Sequence, residues 1–313
     1  MSGLTHALLL SAGLGTRLRP LTLVRAKPAI PVGGIPMAHR ILRRLACAGI
    51  TDAVLNLHYL PETIAGLVGV GSDLGVRVRS SRDQPLLLGS AGGPRQALDI
   101  IGADTFLMVN GDTLTDVDLA PLMSAHAAEG ALVTMAVVPN ANPRQYSGLR
   151  VAANGAVLGV EPRGSTRESF HFIGVQVAGR EAFSHLAKGR PANSVSEVYD
   201  ALIAARPGSV RAHLCDARFW DIGTVADYWT TSRAFASDVS SAGAAPPPVL
   251  GSGAEFDDSI AWDDVVLGDR CRVHQCIVTD SVHVAPGAAY SNMVLLRGPD
   301  GDTIAVPFTT ENR

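Results

Sequence analysis

The stretch Leu8–Pro31 reads LLLSAGLGTRLRPLTLVRAKPAIP. Its apolar run, Ala7–Leu10, has the length a buried strand needs. Ser11 and Ala12 follow, both small, then Gly13-Leu14-Gly15-Thr16. Two glycines directly after a strand permit a tight turn and let backbone N–H groups approach an anion. Arg17, Arg19 and Lys27 come next, so fixed cations lie close to the turn. That combination suits a polyphosphate. A lone G-x-G also fits a strand–turn–helix with surface cations, because short glycine motifs match by chance.

Outward from this stretch, strands and helices alternate. Met37–Gly49 reads as an amphipathic helix, Ala53–Leu57 as a strand, Pro61–Val68 as a helix and Val76–Arg79 as a short strand. Gln84–Gly93 (QPLLLGSAGG) reads as a loop whose small residues allow close approach of a flat ligand. A helix at Pro94–Ile101 leads to the apolar strand Thr105–Val109, which runs into Asn110-Gly111-Asp112. This alternation predicts an α/β fold: a Rossmann-like, mixed but mainly parallel sheet with flanking helices. Ligands of such sheets bind at the carboxyl ends of the strands, where Gly13–Arg17 and Asn110–Asp112 fall. Further on come a helix at Leu119–Ala128, a strand at Ala131–Val138, a hairpin of Gly148–Ala152 with Ala156–Glu161, and a strand at Ser169–Val177. Ser196–Ala205 reads as a helix and Val210–Leu214 as a strand, before Arg218–Thr224 (RFWDIGT) and a helix from Val225.

The composition then changes. Ser237–Pro248 is small, polar and proline-rich and reads as a linker, dividing the chain into domains at 1–236 and 249–313. In the tail, short apolar pairs recur at steps of six, with one step of five from Val273 to Val278. This resembles the hexapeptide pattern of a left-handed parallel β-helix. Its acidic residues, Asp257, Asp258, Asp263, Asp264 and Asp269, read as solvated turn residues. The tail lacks catalytic residue types and reads as an assembly or regulatory element, and a homo-oligomer is expected.

The 313 residues are 47% hydrophobic and carry a formal net charge of −3, which gives no electrostatic case for nucleic acid or an anionic membrane surface. No apolar run is long enough to span a bilayer. The four cysteines, Cys47, Cys215, Cys271 and Cys276, are scattered as in a reduced cytoplasmic protein. Cys271, His274, Cys276 and His283 lie close together, but their spacing fits no common zinc finger. Two aspartates stand out by context: Asp112 after an apolar strand and a glycine, and Asp221 between Phe-Trp and Ile-Gly. Either could cap a following helix. Together with a phosphate loop they suit Mg²⁺, which is typically held by one or two carboxylates and substrate phosphates.

Four motifs, G-x-G-T-R-L-R-P-L-T with K-P, then L-G-S-A-G-G, N-G-D and W-D-I-G-T, stand in an order that resembles the nucleotide-sugar pyrophosphorylases, the sugar-1-phosphate nucleotidylyltransferases. The likeness covers about residues 7–232. It implies transfer of a nucleotidyl group from a nucleoside triphosphate to a sugar 1-phosphate with release of pyrophosphate. It also implies roles for particular residues: Arg17 and Lys27 on the phosphates, Asp112 and Asp221 on Mg²⁺. Ala12, Gly13, Gly15 and Thr16 would cradle the nucleotide, and Gln84, Gly89, Ala91 and Gly92 would face the base. Gly148, Glu161 and Glu197 would line the sugar phosphate site. Two departures touch that site. Glu161-Pro162-Arg163 stands where Glu-Lys-Pro is usual, so Arg163 is a candidate substitute, and Phe172-Ile173-Gly174 stands where many relatives have Asn-Ala-Gly. The glycine loop and the tail resemble the mannose-1-phosphate guanylyltransferase branch most. The alternatives are an N-acetylmuramate-1-phosphate uridylyltransferase type, a glucose-1-phosphate nucleotidylyltransferase, or a catalytically silent regulatory paralogue that binds sugar nucleotides.

Overall fold

The computed structural model describes residues 3–236 and 246–310, so most of the expected linker at 237–248 lies outside the described residues. The chain gathers into two compact units. The first holds the chain up to Gly13 together with Ile41–Trp220; the second holds Leu14–Arg40 together with the chain from Asp221 on.

A nine-stranded sheet forms the first unit. We label its strands β1 (His6–Leu10), β2 (Asp52–Leu57), β3 (Arg77–Arg82), β4 (Thr105–Asn110), β5 (Val133–Pro139), β6 (Gly148–Val151), β7 (Val157–Glu161), β8 (Phe170–Gly179) and β9 (Val210–Leu214). One path runs β7-β6-β8-β4-β1-β2-β3, and β5 joins β8 to β9. The pairs β4–β1, β1–β2, β2–β3 and β5–β9 are parallel, whereas β8 runs antiparallel to β4, β5 and β6. Ala7, Leu8 and Leu9 are all buried, so both faces of β1 are covered, as a parallel strand requires. The core joins Leu8, Val54, Phe106 and Met108 to Phe183, Val198 and Tyr199.

Of the helices, α1 (Met37–Cys47) buries Met37, Ile41, Leu42 and Leu45, the helical spacing of an apolar stripe. Then come α2 (Pro61–Val68), α3 (Gly89–Ile101) and α4 (Leu119–Glu129). α3 begins five residues before Pro94, inside the expected loop, despite the poor helix propensity of its glycines. The reason is tertiary. Ala91 N and Gly92 N donate to the carbonyl of Ala192 at 3.0 and 3.3 Å, and a Cβ at Gly92 would stand 2.4 Å from Arg190 O. The expected helix at 196–205 is a π-helical turn, Ser194–Tyr199, running into α5 (Asp200–Ala205) and capped by Asn193.

The tail in the second unit is a stack of short parallel strands on three faces. One face stacks Val249–Leu250, Val266–Leu267 and His283–Val284. Each residue pairs with the one 17 positions on, as in the bond from Cys276 N to Ser259 Oγ. A coil therefore takes 17 residues rather than three sixes, and the five-residue step is the regular short side of each turn. Corners sit in the left-handed region at the same spacing: Asp258, Gln275 and Asn292 have φ of 44°, 49° and 57°. Cys271 and Cys276 fill the coil core beside Val273 and Val278, and burial pushes both thiols up. The stack ends on an antiparallel strand, Thr303–Pro307 against Met293–Arg297, which the hexapeptide pattern does not foresee. Among the described residues no helix is long and apolar enough to cross a membrane.

Coil spacing sets a sharp difference between two tail glycines. A Cβ at Gly268 would lie 2.6 Å from Pro286 N and 2.8 Å from Val284 O on the next coil, whereas one at Gly287, with φ 72°, meets nothing within 4 Å. Gly268→Ala should cost about 1–3 kcal/mol by overpacking against backbone. Gly287→Asn should stay within about 0.5 kcal/mol of the parent, because Asn tolerates the left-handed region at an exposed site. Denaturant unfolding of the two variants checks this.

Candidate active site

In the first unit the site is built on three strand ends. Leu10, the last residue of β1, pairs with Asn56 of β2 on one side and with Asn110, the last residue of β4, on the other. Just past them, Ser11 N donates to Asn56 Oδ1 at 2.8 Å, and Gly111 N donates to Leu10 O at 2.9 Å. Ser11 and Ala12 are buried beneath the turn, while Gly13 is exposed and a Cβ there would meet nothing within 4 Å. Packing within the protein therefore does not explain Gly13. Asp112 follows β4 after Gly111, half-buried at this rim. Gly174, with φ 80°, sits in the irregular stretch of β8 and leaves its missing Cβ only 3.1 Å from the Asn110 side chain. The Phe172-Ile173-Gly174 motif thus brings β8 against N-G-D.

Two residues that motif reading passes over organise this rim. Asn56 Nδ2 donates to Asp83 Oδ2 at 3.2 Å, and Leu88 N donates to the same oxygen at 3.4 Å. A chain of bonds therefore runs from the Ser11 turn through Asn56 and Asp83 to the start of α3. Asp83 is fully buried, and its Oδ1 has no hydrogen-bond partner. Burial pushes its carboxyl above the usual carboxylate range, against the pull of the Leu88 and Asn56 donors. Nearby, Gln84 is exposed, Ala91 is buried, and a Cβ at Gly89 would lie 2.8 Å from Ala192 O.

At the far end of the sheet, a Cβ at Gly148 would collide with Ser169, 2.1 Å from Oγ, so no larger residue fits. Glu161 is buried and fully engaged. Arg150 Nε lies 3.1 Å away, Arg167 NH1 3.5 Å, and Ser165 Oγ donates at 2.9 Å. Arg163 is exposed, so the cations that meet Glu161 are Arg150 and Arg167, neither of which the motifs single out. The Glu197 carboxylate accepts from Asn193 N at 2.7 Å and so caps the turn before α5. A cavity of about 220 Å³ opens beside Gly148 and Phe172, lined largely by Met135, Leu149, Val195 and Tyr199.

The second unit carries the other expected residues. Gly15, with φ 59°, is required twice over: its conformation is left-handed, and a Cβ would stand 2.7 Å from Thr22 Cγ2 and 3.5 Å from Lys27 Cβ. Thr22 Oγ1 closes the turn by donating to Gly15 O at 2.8 Å. Thr16 and Arg17 are exposed and Lys27 is buried. A Cβ at Gly223 would be 3.6 Å from both terminal nitrogens of Arg17, so the W-D-I-G-T motif brings its glycine up to that guanidinium. Asp221 ends the strand Phe219–Asp221, and the next helix, α6 (Val225–Ala234), opens with a capping box of Thr224 and Asp227. Among the described residues no three His, Cys, Asp or Glu side chains group as a metal cage. Asp112 and Asp221 each carry a carboxylate, a hard oxygen donor of the kind Mg²⁺ takes alongside phosphate.

The nucleotidyl transferase family model matches residues 6–238. The chain belongs to the nucleotidyl transferase family. Curated relatives of this nucleotidyltransferase include a mannose-1-phosphate guanylyltransferase of Mycobacterium tuberculosis, 29% identical over 298 residues that cover 87% of this chain and 82% of the relative. An N-acetylmuramate alpha-1-phosphate uridylyltransferase of Neisseria meningitidis is 44% identical over 112 residues, 36% of this chain and 48% of the relative. Among solved structures, HddC from Yersinia pseudotuberculosis shares the fold at a TM-score of 0.65 and 20% identity, over 74% of this chain and all of its own.

The raised Asp83 carboxyl predicts a pH dependence. Its folded-state value lies above the unfolded one, so its contribution to stability is full below the unfolded value and is lost as pH rises through the folded one. Asp83→Asn keeps an oxygen for both donors and removes the ionisation. The variant should gain thermal stability over the parent between pH 4 and pH 8, by about 2–4 °C for each kcal/mol relieved. Melting curves across that range check it.

Proposed function

We propose that the chain joins a nucleoside triphosphate to a sugar 1-phosphate, releasing pyrophosphate, and that the pair is GTP and mannose 1-phosphate. The observation that carries the choice of substrates is the mycobacterial guanylyltransferase, whose likeness runs through both the catalytic region and the tail. In this reading a sugar phosphate oxygen attacks the α-phosphorus in line, which demands positioning and charge stabilisation rather than a protein nucleophile. The turn from Ala12 to Thr16 cradles the triphosphate. Arg17 stabilises charge on the departing pyrophosphate, and Lys27 faces the α-phosphate and the incoming sugar phosphate. Asp112 and Asp221 are the carboxylates assigned to Mg²⁺, which when bound neutralises phosphate charge. Arg163 is the exposed cation offered to the sugar phosphate, beyond the arginines already engaged by Glu161. We assign the reaction to the cytoplasm and the working form to a homo-oligomer.

A second reading takes UTP and an N-acylated, lactyl-bearing sugar phosphate. Two observations favour it: the 44% local identity to the Neisseria uridylyltransferase and the apolar cavity beside Gly148 and Phe172, which has room for an acyl group. A matrix of five nucleoside triphosphates against mannose, glucose and N-acetylmuramate 1-phosphates, read by pyrophosphate release, separates the readings. GTP with mannose 1-phosphate should give the highest kcat/KM, and Asp112→Asn should lower kcat by about 10²-fold or more in folded protein. A folded Asp112→Asn with parental turnover refutes the metal assignment, and no release from any pair refutes the enzyme reading.

A further inference from the structure

The segment that carries Arg17 and Lys27 has almost no regular structure of its own. From Leu14 to the start of α1 it consists of three single 3₁₀ turns and a hairpin of two-residue strands, Pro31–Val32 with Ile35–Pro36. Such turns are too short to be rigid alone. Something else must hold them.

Arg25 stands two residues before Lys27, and its side chain is only 12% exposed. Its strongest bonds all go to the tail. Nε and one terminal nitrogen donate to the two oxygens of Asp280, both at 2.6 Å, and that same nitrogen donates to Asp263 Oδ2. The other terminal nitrogen turns back on the segment and donates to Ala29 O at 3.4 Å. The two aspartates occupy successive coils, 17 residues apart, and Asp263 N also donates to Asp280 Oδ1 at 3.3 Å. The guanidinium lies 5.5 Å from the ring centre of Trp262, which is fully buried and donates to Tyr228 Oη at 2.8 Å. A fork of this shape serves two carboxylates at once, which a lysine does not. Farther along, Gly33 N donates to Ser232 Oγ at 2.9 Å, so the segment is also pinned to α6.

We propose that the tail is a brace for the phosphate-handling segment: Asp263 and Asp280 are positioning residues that set Lys27 through Arg25. The proposal rests on the transferase reading given above. It replaces the view of the tail as an appendage with one in which two coil corners complete the catalytic apparatus. The reach of the chain limits the Cα of Lys27 to about 7 Å from that of Arg25, so a loosened Arg25 is felt at the lysine.

The test uses full-length protein with Asp280→Asn and Arg25→Lys, assayed for kcat, for both KM values and for amide hydrogen exchange of a peptide covering residues 14–32. Loss of fixed position should lower kcat roughly 10- to 100-fold while either KM moves less than about threefold, and exchange in the peptide should quicken at least tenfold. A group acting only on global stability would lower the melting point without this split. Should Asp280→Asn fail to fold, Asp263→Asn, which removes one bond from a carboxylate 42% exposed, is read in the same way. Folded variants with parental kcat overturn the proposal. If the parent releases no pyrophosphate with any substrate pair, the transferase reading has failed and exchange alone judges the brace: faster exchange supports it and unchanged exchange overturns it.

Discussion

The register of three parallel strands is the constraint on which the first unit depends. In a parallel pair the register decides which residues leave the sheet together, and here Leu10 has an asparagine opposite it on each side. Polar residues at the last rung of buried strands are costly unless paired. Asn56 meets that condition by receiving Ser11 N and donating to Asp83. Asn110 lies against Gly174, where any side chain would crowd it. The rim that carries the turn, N-G-D and the start of α3 is thus fixed by hydrogen bonds and close backbone approach rather than by bulk packing.

The acidic residues divide by what they touch. Asp83, Glu161, Asp227 and Asp280 each accept from several protein donors. Burial raises the Asp83 and Asp280 carboxyls, so these groups meet a desolvation cost that their donors only partly offset. Such carboxylates shape the fold around the site. Glu161, which the resemblance assigns to the sugar phosphate, is likewise held by Arg150, Arg167 and Ser165.

Much of this was legible in the sequence, because β1, β2 and β4 are short apolar runs bounded by turn residues and because the helix pattern changes period clearly. Gly15 was legible as a turn former. What escaped has a common cause: it is decided by partners far along the chain. Helix α3 starts within a glycine cluster because Ala192 receives its first N–H groups, about a hundred residues away. Asn56 and Asp83 lie 27 residues apart and look unremarkable singly, although an asparagine inside AVLNL was a readable sign of a buried polar role. The coil length was hidden because a period of 17 looks like a faulty period of six until the strands are seen in register.

The run LVRAKP sets an arginine two residues before the lysine that the resemblance assigns to the phosphates. Their partners make them different. Arg25 is neutralised by aspartates 238 and 255 residues further on, and a guanidinium already shared by two carboxylates has little hydrogen-bonding capacity left for a phosphate. The stem of Lys27 stands beside Gly15, and Arg17 lies against Gly223. In the proposed reading Arg17 and Lys27 are the cations that meet the phosphates, while Arg25 supplies position. A tail built of 17-residue coils is well suited to holding that arginine. Its corners recur at fixed spacing, so two aspartates from adjacent coils stack into one receptor for a single guanidinium.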